Sequence, residues 1–284
     1  MTTEPIGVLG AGVMGVGITT LLLGHGLNVH LVESDQDKLA SAPDRVRHEL
    51  RMAQLMGALP TGVQQGILHA SGDLSIISGS RVVIEAITED TALKAKILTE
   101  VSRLVAGATP LVSNTSSIPI DELAGAVDRP EDLIGTHFMN PPVLIGTTEV
   151  IRGTRTGQAT LDAVRELLAE VGRKPVVVRD APGFVTSRLL HPMINDAARI
   201  VQEGTASVKD VDTLMQGCLG HPTGPLRTAD LIGIDNLVDS LWVLLERTGD
   251  EGCRPCNLLL HKVATGHLGR KTGCGFYEYE ELAR

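Results

Sequence analysis

A chain of 284 residues with 43% hydrophobic content has ample material for a core and suits one large or two ordinary domains. Its net charge of −9, with no Lys/Arg cluster, excludes a duplex nucleic-acid binder. No apolar run approaches the roughly 18 residues that a membrane span needs.

The N-terminal Met1-Thr2-Thr3-Glu4-Pro5 lacks a basic region and runs straight into a strand, so no signal peptide is expected. The four cysteines are Cys218, Cys253, Cys256 and Cys274. Cys253-Arg254-Pro255-Cys256 is a CxxC without a second pair or a nearby His pair, so no metal site is expected. A reducing cytoplasm is the natural compartment.

The first element is a short apolar strand, residues 6–9. It runs into Gly10-Ala11-Gly12-Val13-Met14-Gly15 and a helical pattern through Leu23. Gly24-His25-Gly26 stops that helix, and residues 27–32 form a second strand ending at Glu33. This is GxGxxG in its working context. Gly10 permits a tight turn, Gly12 lets backbone approach a pyrophosphate, and Gly15 lets helix and strand pack closely. Met14 lies in the same turn, where the helix start offers N–H donors to an anion. Glu33 can accept from a ribose diol and would repel a 2′-phosphate, while Ser34 and Asp35 offer no cation in exchange. The dinucleotide expected is therefore NAD.

Residues 38–70 read as helices, with Met and Leu at helical spacing. Arg45, Arg47 and Arg51 fall among them; a solvated face is the commoner outcome than contact with an anionic substrate. Residues 81–87 form another buried strand, followed by Thr88-Glu89-Asp90 and a helix carrying Lys94 and Lys96. Residues 110–113 form the next strand, ending in Asn114-Thr115-Ser116-Ser117. Glu89, Lys94 and Ser116 fall at or just past strand carboxyl ends, where open α/β sheets bind ligands. Ser117 reads as a helix cap and Ser116 as a site residue.

Residues 134–150, IGTHFMNPPVLIGTTEV, bring His137, Asn140 and Glu149 into one short piece of chain. Pro141-Pro142 breaks regular structure, and the Thr-Thr-Glu-Val-Ile run reads as a returning strand. Neighbouring strands would let His137 meet Glu149. A carboxylate beside an imidazole fixes its tautomer and raises its basicity, as a general base requires. The alternative is a core histidine bonded to backbone, with an exposed Glu.

A helix over 160–171 and a strand over 174–178 complete the alternating part. After Asp180-Ala181-Pro182-Gly183-Phe184 the character changes. Residues 185–203, 208–219, 228–246 and 257–264 read as helices, with no further strand. The expected fold is thus α/β: a Rossmann-like doubly wound parallel sheet over 1–180, then a smaller all-α domain over 181–284. Helices carrying Leu, Ile and Val on several faces often hide one against a partner, so a homodimer is expected.

The pieces IGVLGAGVMGVGI, VVIEAITED, SNTSS, THFMNPP, TTEVI, DAPGFV, GHPTGP with ADLIGID, and GRKTGCGFYEY resemble the short-chain 3-hydroxyacyl-CoA dehydrogenase family, in the family's order. The resemblance implies NAD-dependent oxidation of the 3-hydroxyl of an acyl thioester. It puts His137 at the catalytic base, Glu149 at its paired acid, and Ser116 and Asn140 around the substrate hydroxyl and thioester carbonyl. It puts Glu89 and Lys94 near the nicotinamide ribose and the diphosphate, and Glu33 at the adenosine ribose.

Two departures stand out. Where the family reads PGFxxNR, this chain reads Pro182-Gly183-Phe184-Val185-Thr186-Ser187-Arg188, so Ser187 replaces a substrate-binding Asn with a shorter side chain and no amide. CoA-specific members often carry a lysine-rich run between the second and third strands; here only Lys38 and scattered arginines stand there. With stretches similar to members from polyketide gene clusters, this favours a substrate, such as a glyceryl group, held on an acyl carrier protein. The alternatives are a free CoA thioester, a small free hydroxy acid, a non-catalytic NAD-binding protein, or a module that recognises a carrier domain.

Overall fold

The short aliphatic runs of the first half assemble into one sheet. The computed structural model describes residues 4–279; Met1–Thr3, part of the segment judged not to be a signal peptide, lie outside them. The chain divides into two compact units between Ala181 and Pro182.

In the first unit, β1 (Ile6–Leu9), α1 (Val13–Gly24), β2 (Val29–Val32), α2 (Gln36–Leu55), β3 (Leu68–Ser71), β4 (Val82–Glu85), α3 (Thr91–Leu104), β5 (Leu111–Ser113), α4 (Ile120–Leu123), β6 (Leu133–His137), β7 (Thr147–Arg152), α5 (Gln158–Glu170) and β8 (Lys174–Arg179) follow in order. Among the described residues, eight strands pair in the order β3-β2-β1-β4-β5-β6-β7-β8. All neighbours are parallel except β6 and β7. Strand order reverses between β1 and β4, which opens the ligand crevice of a doubly wound sheet at their carboxyl ends.

Burial explains the sequence pattern. β1 and β4 are buried along their whole length, so they read as unbroken apolar runs rather than alternating ones. α1 is buried from Gly15 to Gly24, and its Ile18, Leu21, Leu22 and Leu23 join β1, β2 and α5 in the main core. α2 is amphipathic, and Asp35 caps it by accepting from the Asp37 and Lys38 N–H groups.

β3 corrects the reading of residues 38–70 as helices only. It is a four-residue edge strand, Leu68-His69-Ala70-Ser71, with no residue fully buried. Leu68 and Ala70 pack against the core while His69 is exposed, an alternation only four residues long that pairing with β2 completes.

The second unit is helical: α6 (Thr186–Gln202), α7 (Val208–Leu219), α8 (Pro225–Ile232), α9 (Ile234–Thr248) and α10 (Asn257–Ala264). Leu226, Leu237, Leu241, Leu244 and Leu259 centre its core. The single helix expected over 228–246 is two. Gly233, at φ 94°, ends α8, a conformation that L side chains rarely adopt. Asp230 and Asp212 tie the final segment down: Asp230 accepts from Phe276 N, Tyr277 N and the Tyr279 hydroxyl, and Asp212 from the Tyr277 hydroxyl. Cys253 and Cys256 are buried in this core, where desolvation raises both thiols above their ordinary range. No described helix is long and apolar enough to cross a membrane.

Candidate active site

The glycine turn is built for an anion. Gly10 has φ 96°, and a Cβ at Gly15 would stand 1.8 Å from the Gly10 carbonyl oxygen, so the turn and the close packing both demand glycine. A Cβ at Gly12 would meet nothing within 4 Å: the backbone there faces open space. Gly12 starts α1 without a side-chain cap, no acidic residue sits in the first turn, and Met14 lies half-buried just inside it. Uncapped N–H groups and a helix dipole therefore meet a space that a phosphate can enter. Glu33 closes the other side. Its Oε2 accepts from Ala11 N at 2.8 Å and its Oε1 from Asp35 N at 3.0 Å, which leaves carboxylate lone pairs for a diol. These residues fit an adenine dinucleotide.

Three strands along from β1, the antiparallel ladder of β6 and β7 places His137 directly opposite Glu149. His137 Nδ1 stands 3.1 Å from Glu149 Oε2, although 12 positions separate the residues in the chain. Both are buried, the histidine slightly less so. Because His137 is the last residue of β6, its ring stands at the carboxyl edge of the parallel strands.

Between these two features lies a charge network centred on the buried Lys94 and Glu85. Glu85, the last residue of β4, accepts from the Lys94 ammonium at 2.6 Å, from Ile87 N at 2.9 Å and from the Ser113 hydroxyl at 2.7 Å. Lys94 also stands 3.3 Å from Glu89 Oε2. The other Glu89 oxygen gathers the loop after β5: the Thr115 hydroxyl at 2.6 Å, Ser116 N at 2.8 Å, Ser117 N at 3.1 Å, and both serine hydroxyls at 3.2 Å. Burial alone would raise the Glu89 carboxyl. The Lys94 charge and the donors of Thr115 and Ser116 outweigh that and hold it below the usual range.

Two expectations change here. Lys94 is fully buried and shared by two carboxylates, so its head is committed to the protein. Ser117 is no helix cap: Pro119 begins α4 without a side-chain cap, and Ser117 bonds Glu89 instead.

The loop after β6 is pinned from three sides. The Asn114 side-chain oxygen accepts from Phe138 N at 3.0 Å. Arg173 donates to the carbonyls of Pro142 at 3.1 Å and Val143 at 2.9 Å. Pro142 packs so closely on α1 that a Cβ at Gly17 would come within 2.8 Å of its ring. Asn140, at the tip and in a cis peptide with Pro141, is exposed. Ser187 lies in the first turn of α6 in the second unit and is buried.

Glu85, Asn114 and Arg173 were not singled out from the sequence. Glu85 and Asn114 sit inside matched motifs at strand ends, which was signal enough. Arg173 acts about 30 residues away in the chain, and nothing local marks it. Arg45 departs from the solvated face expected for it: it donates to the Ala11 carbonyl at 2.7 Å.

A doubly wound sheet with an open glycine turn, a ribose-type acid and a carboxylate-backed histidine at the same edge defines an NAD-dependent oxidoreductase acting on CH–OH groups. The family comparisons give the rest. Residues 5–181 match the NAD-binding domain of 3-hydroxyacyl-CoA dehydrogenase and residues 183–279 its C-terminal domain. The chain belongs to the 3-hydroxyacyl-CoA dehydrogenase family. It is 39% identical to the probable 3-hydroxybutyryl-CoA dehydrogenase of Bacillus subtilis, over 99% of both chains. The crystal structure of FadB2 from M. tuberculosis superimposes with a TM-score of 0.91 at 35% identity, covering 98% of this chain and 99% of that one. The (S)-3-hydroxybutyryl-CoA dehydrogenase PaaH1 from Ralstonia eutropha gives 0.87 at 36% identity, covering 99% and 100%.

Proposed function

We propose that this protein oxidises the 3-hydroxyl of a short acyl-CoA thioester of the 3-hydroxybutyryl kind, with NAD⁺ as acceptor. The His137–Glu149 pair at 3.1 Å carries this reading. NAD⁺, when bound, supplies the acceptor for the hydride that leaves C3. With Nδ1 donating to Glu149, Nε2 of His137 is the basic nitrogen and takes the hydroxyl proton, and Glu149 stabilises the imidazolium that forms. Ser116 and Asn140 hold the hydroxyl and the thioester carbonyl. Glu89 serves the nicotinamide ribose and Glu33 the adenosine ribose. Ser187 takes a substrate contact through its hydroxyl.

The names of the similar proteins move the substrate handle from the carrier protein expected from the sequence toward free CoA. A carrier-bound substrate stays as the second reading on one observation: Lys38 is the one lysine between β2 and β3. Matched 3-hydroxybutyryl-CoA and carrier-bound 3-hydroxyacyl substrates, followed by reduced-nicotinamide absorbance, decide between them. Turnover with CoA supports the proposal; turnover with the carrier alone reverses the order. Turnover of the free hydroxy acid at the same rate would make the thioester irrelevant. We also propose that two copies pair through the helical unit, which leaves Leu189, Leu214 and Leu219 exposed. Sedimentation at monomer mass would refute it.

A further inference from the structure

We propose that Arg45 is the cation that grips the cofactor's diphosphate, in the place that the family resemblance gives to Lys94. The inference rests on the dinucleotide reading of the glycine turn. Lys94 has no charge to spare, since Glu85 and Glu89 together carry more negative charge than its ammonium neutralises. A cation adds to what the turn offers, because backbone N–H groups and a helix dipole offset only part of a doubly charged diphosphate.

Arg45 is placed to supply it. From α2 it reaches the Ala11 carbonyl through Nη1 at 2.7 Å and remains partly exposed. It makes no contact ion pair with a carboxylate among the described residues. Glu49, one turn along α2, feels the Arg45 charge but makes no contact pair with it, and accepts from the Thr20 hydroxyl of α1 at 3.5 Å. Arg47 is taken by Asp44, and Arg51 is exposed. A guanidinium offers five donors in a planar fork. One holds Ala11, which leaves donors for phosphate oxygens beside Gly12, the next residue and the one that faces open space.

The same contact links two recognition elements. Ala11 is held at its N–H by Glu33 and at its carbonyl by Arg45. The acid that reads the ribose and the cation that reads the diphosphate thus hold the two successive peptide groups that flank one residue.

ADP is common to NAD and CoA, so the test separates the two. The full chain and the R45Q variant are titrated calorimetrically with ADP-ribose, adenosine and CoA. R45Q is expected to weaken ADP-ribose about tenfold, leaving adenosine and CoA unchanged, and R45K is expected to recover part of the loss. Unchanged ADP-ribose affinity overturns the proposal. So does equal loss of ADP-ribose and adenosine, which would make Arg45 a brace only, or a loss confined to CoA. If R45Q does not fold, the Arg45 Nε–H resonance of the wild-type chain answers instead: it should move with ADP-ribose and not with adenosine, and the proposal fails if it is still with both. A wild-type chain that binds neither NADH nor ADP-ribose would remove the dinucleotide reading itself, and Arg45 with it.

Discussion

Two basic side chains in the first unit are each backed by carboxylates, and they have opposite fates. Lys94 lies between Glu85 and Glu89 with a side-chain exposure of 1%; His137 faces Glu149 with 10%. The ammonium is a point charge that two acids absorb, and around it hang the ends of β4 and β5 and the start of α3. The imidazole has two distinct nitrogens, and a carboxylate on one fixes which of them carries the proton. Burial beside an acid therefore does not by itself mark a catalytic base. The distinction lies in which group has two chemically distinct nitrogens and stands at the sheet's open edge.

Replacing Lys94 sharpens that contrast most. Lys94→Met leaves the buried Glu85 carboxylate, and the partly exposed Glu89 beside it, without their cation and should cost about 3–5 kcal/mol of stability, read by denaturant unfolding. A loss under about 1 kcal/mol would show that Lys94 is not the strut described here. His137→Ala should act mainly on turnover: NADH affinity unchanged, and kcat down by about 10²-fold or more, near 3 kcal/mol of barrier. Intact turnover would break the comparison. Glu149→Gln should lower kcat by roughly tenfold, through loss of imidazolium stabilisation, with KM little changed.

The smallest effect is one of pH. The folded Glu89 carboxyl sits below its ordinary value of 4.5. A lowered folded-state pKa stabilises the protein above that ordinary value, and the contribution is lost as pH falls through the folded value. The stability gap between wild type and Glu89→Gln should thus be present at neutral pH and shrink on acidification below 4.5. A gap independent of pH would mean that shape, not charge, is what Glu89 contributes.

What the sequence made readable was local. The glycine turn announces itself because strand, glycines, helix and acid lie within a few turns of chain. The His137–Glu149 meeting was open to inference because a proline break and a β-branched run imply a strand that doubles back. β3 escapes the sequence because its alternation, Leu68-His69-Ala70-Ser71, is too short to stand out after a long helical pattern, and pairing with β2 completes it. The break at Gly233 carried a signal, a glycine inside a long helical pattern, and it was passed over. Arg45 and Arg173 were beyond reach, since each acts on a carbonyl roughly thirty residues away that no spacing rule connects to it. Lys94 was placed by family position, and only the side-chain geometry shows that its charge is already spoken for.

The β6–β7 ladder sets a parity on future change. Side chains alternate across a strand, so sliding β7 by one residue would present Thr148 or Val150 to His137 and turn Glu149 to the far side of the sheet. The connecting loop can grow or shrink while that alignment holds, but the strand itself can move only by even steps if an acid is to stay in view of the imidazole. Single-residue insertions within β7 should therefore silence the enzyme, and paired insertions at one end should be better tolerated.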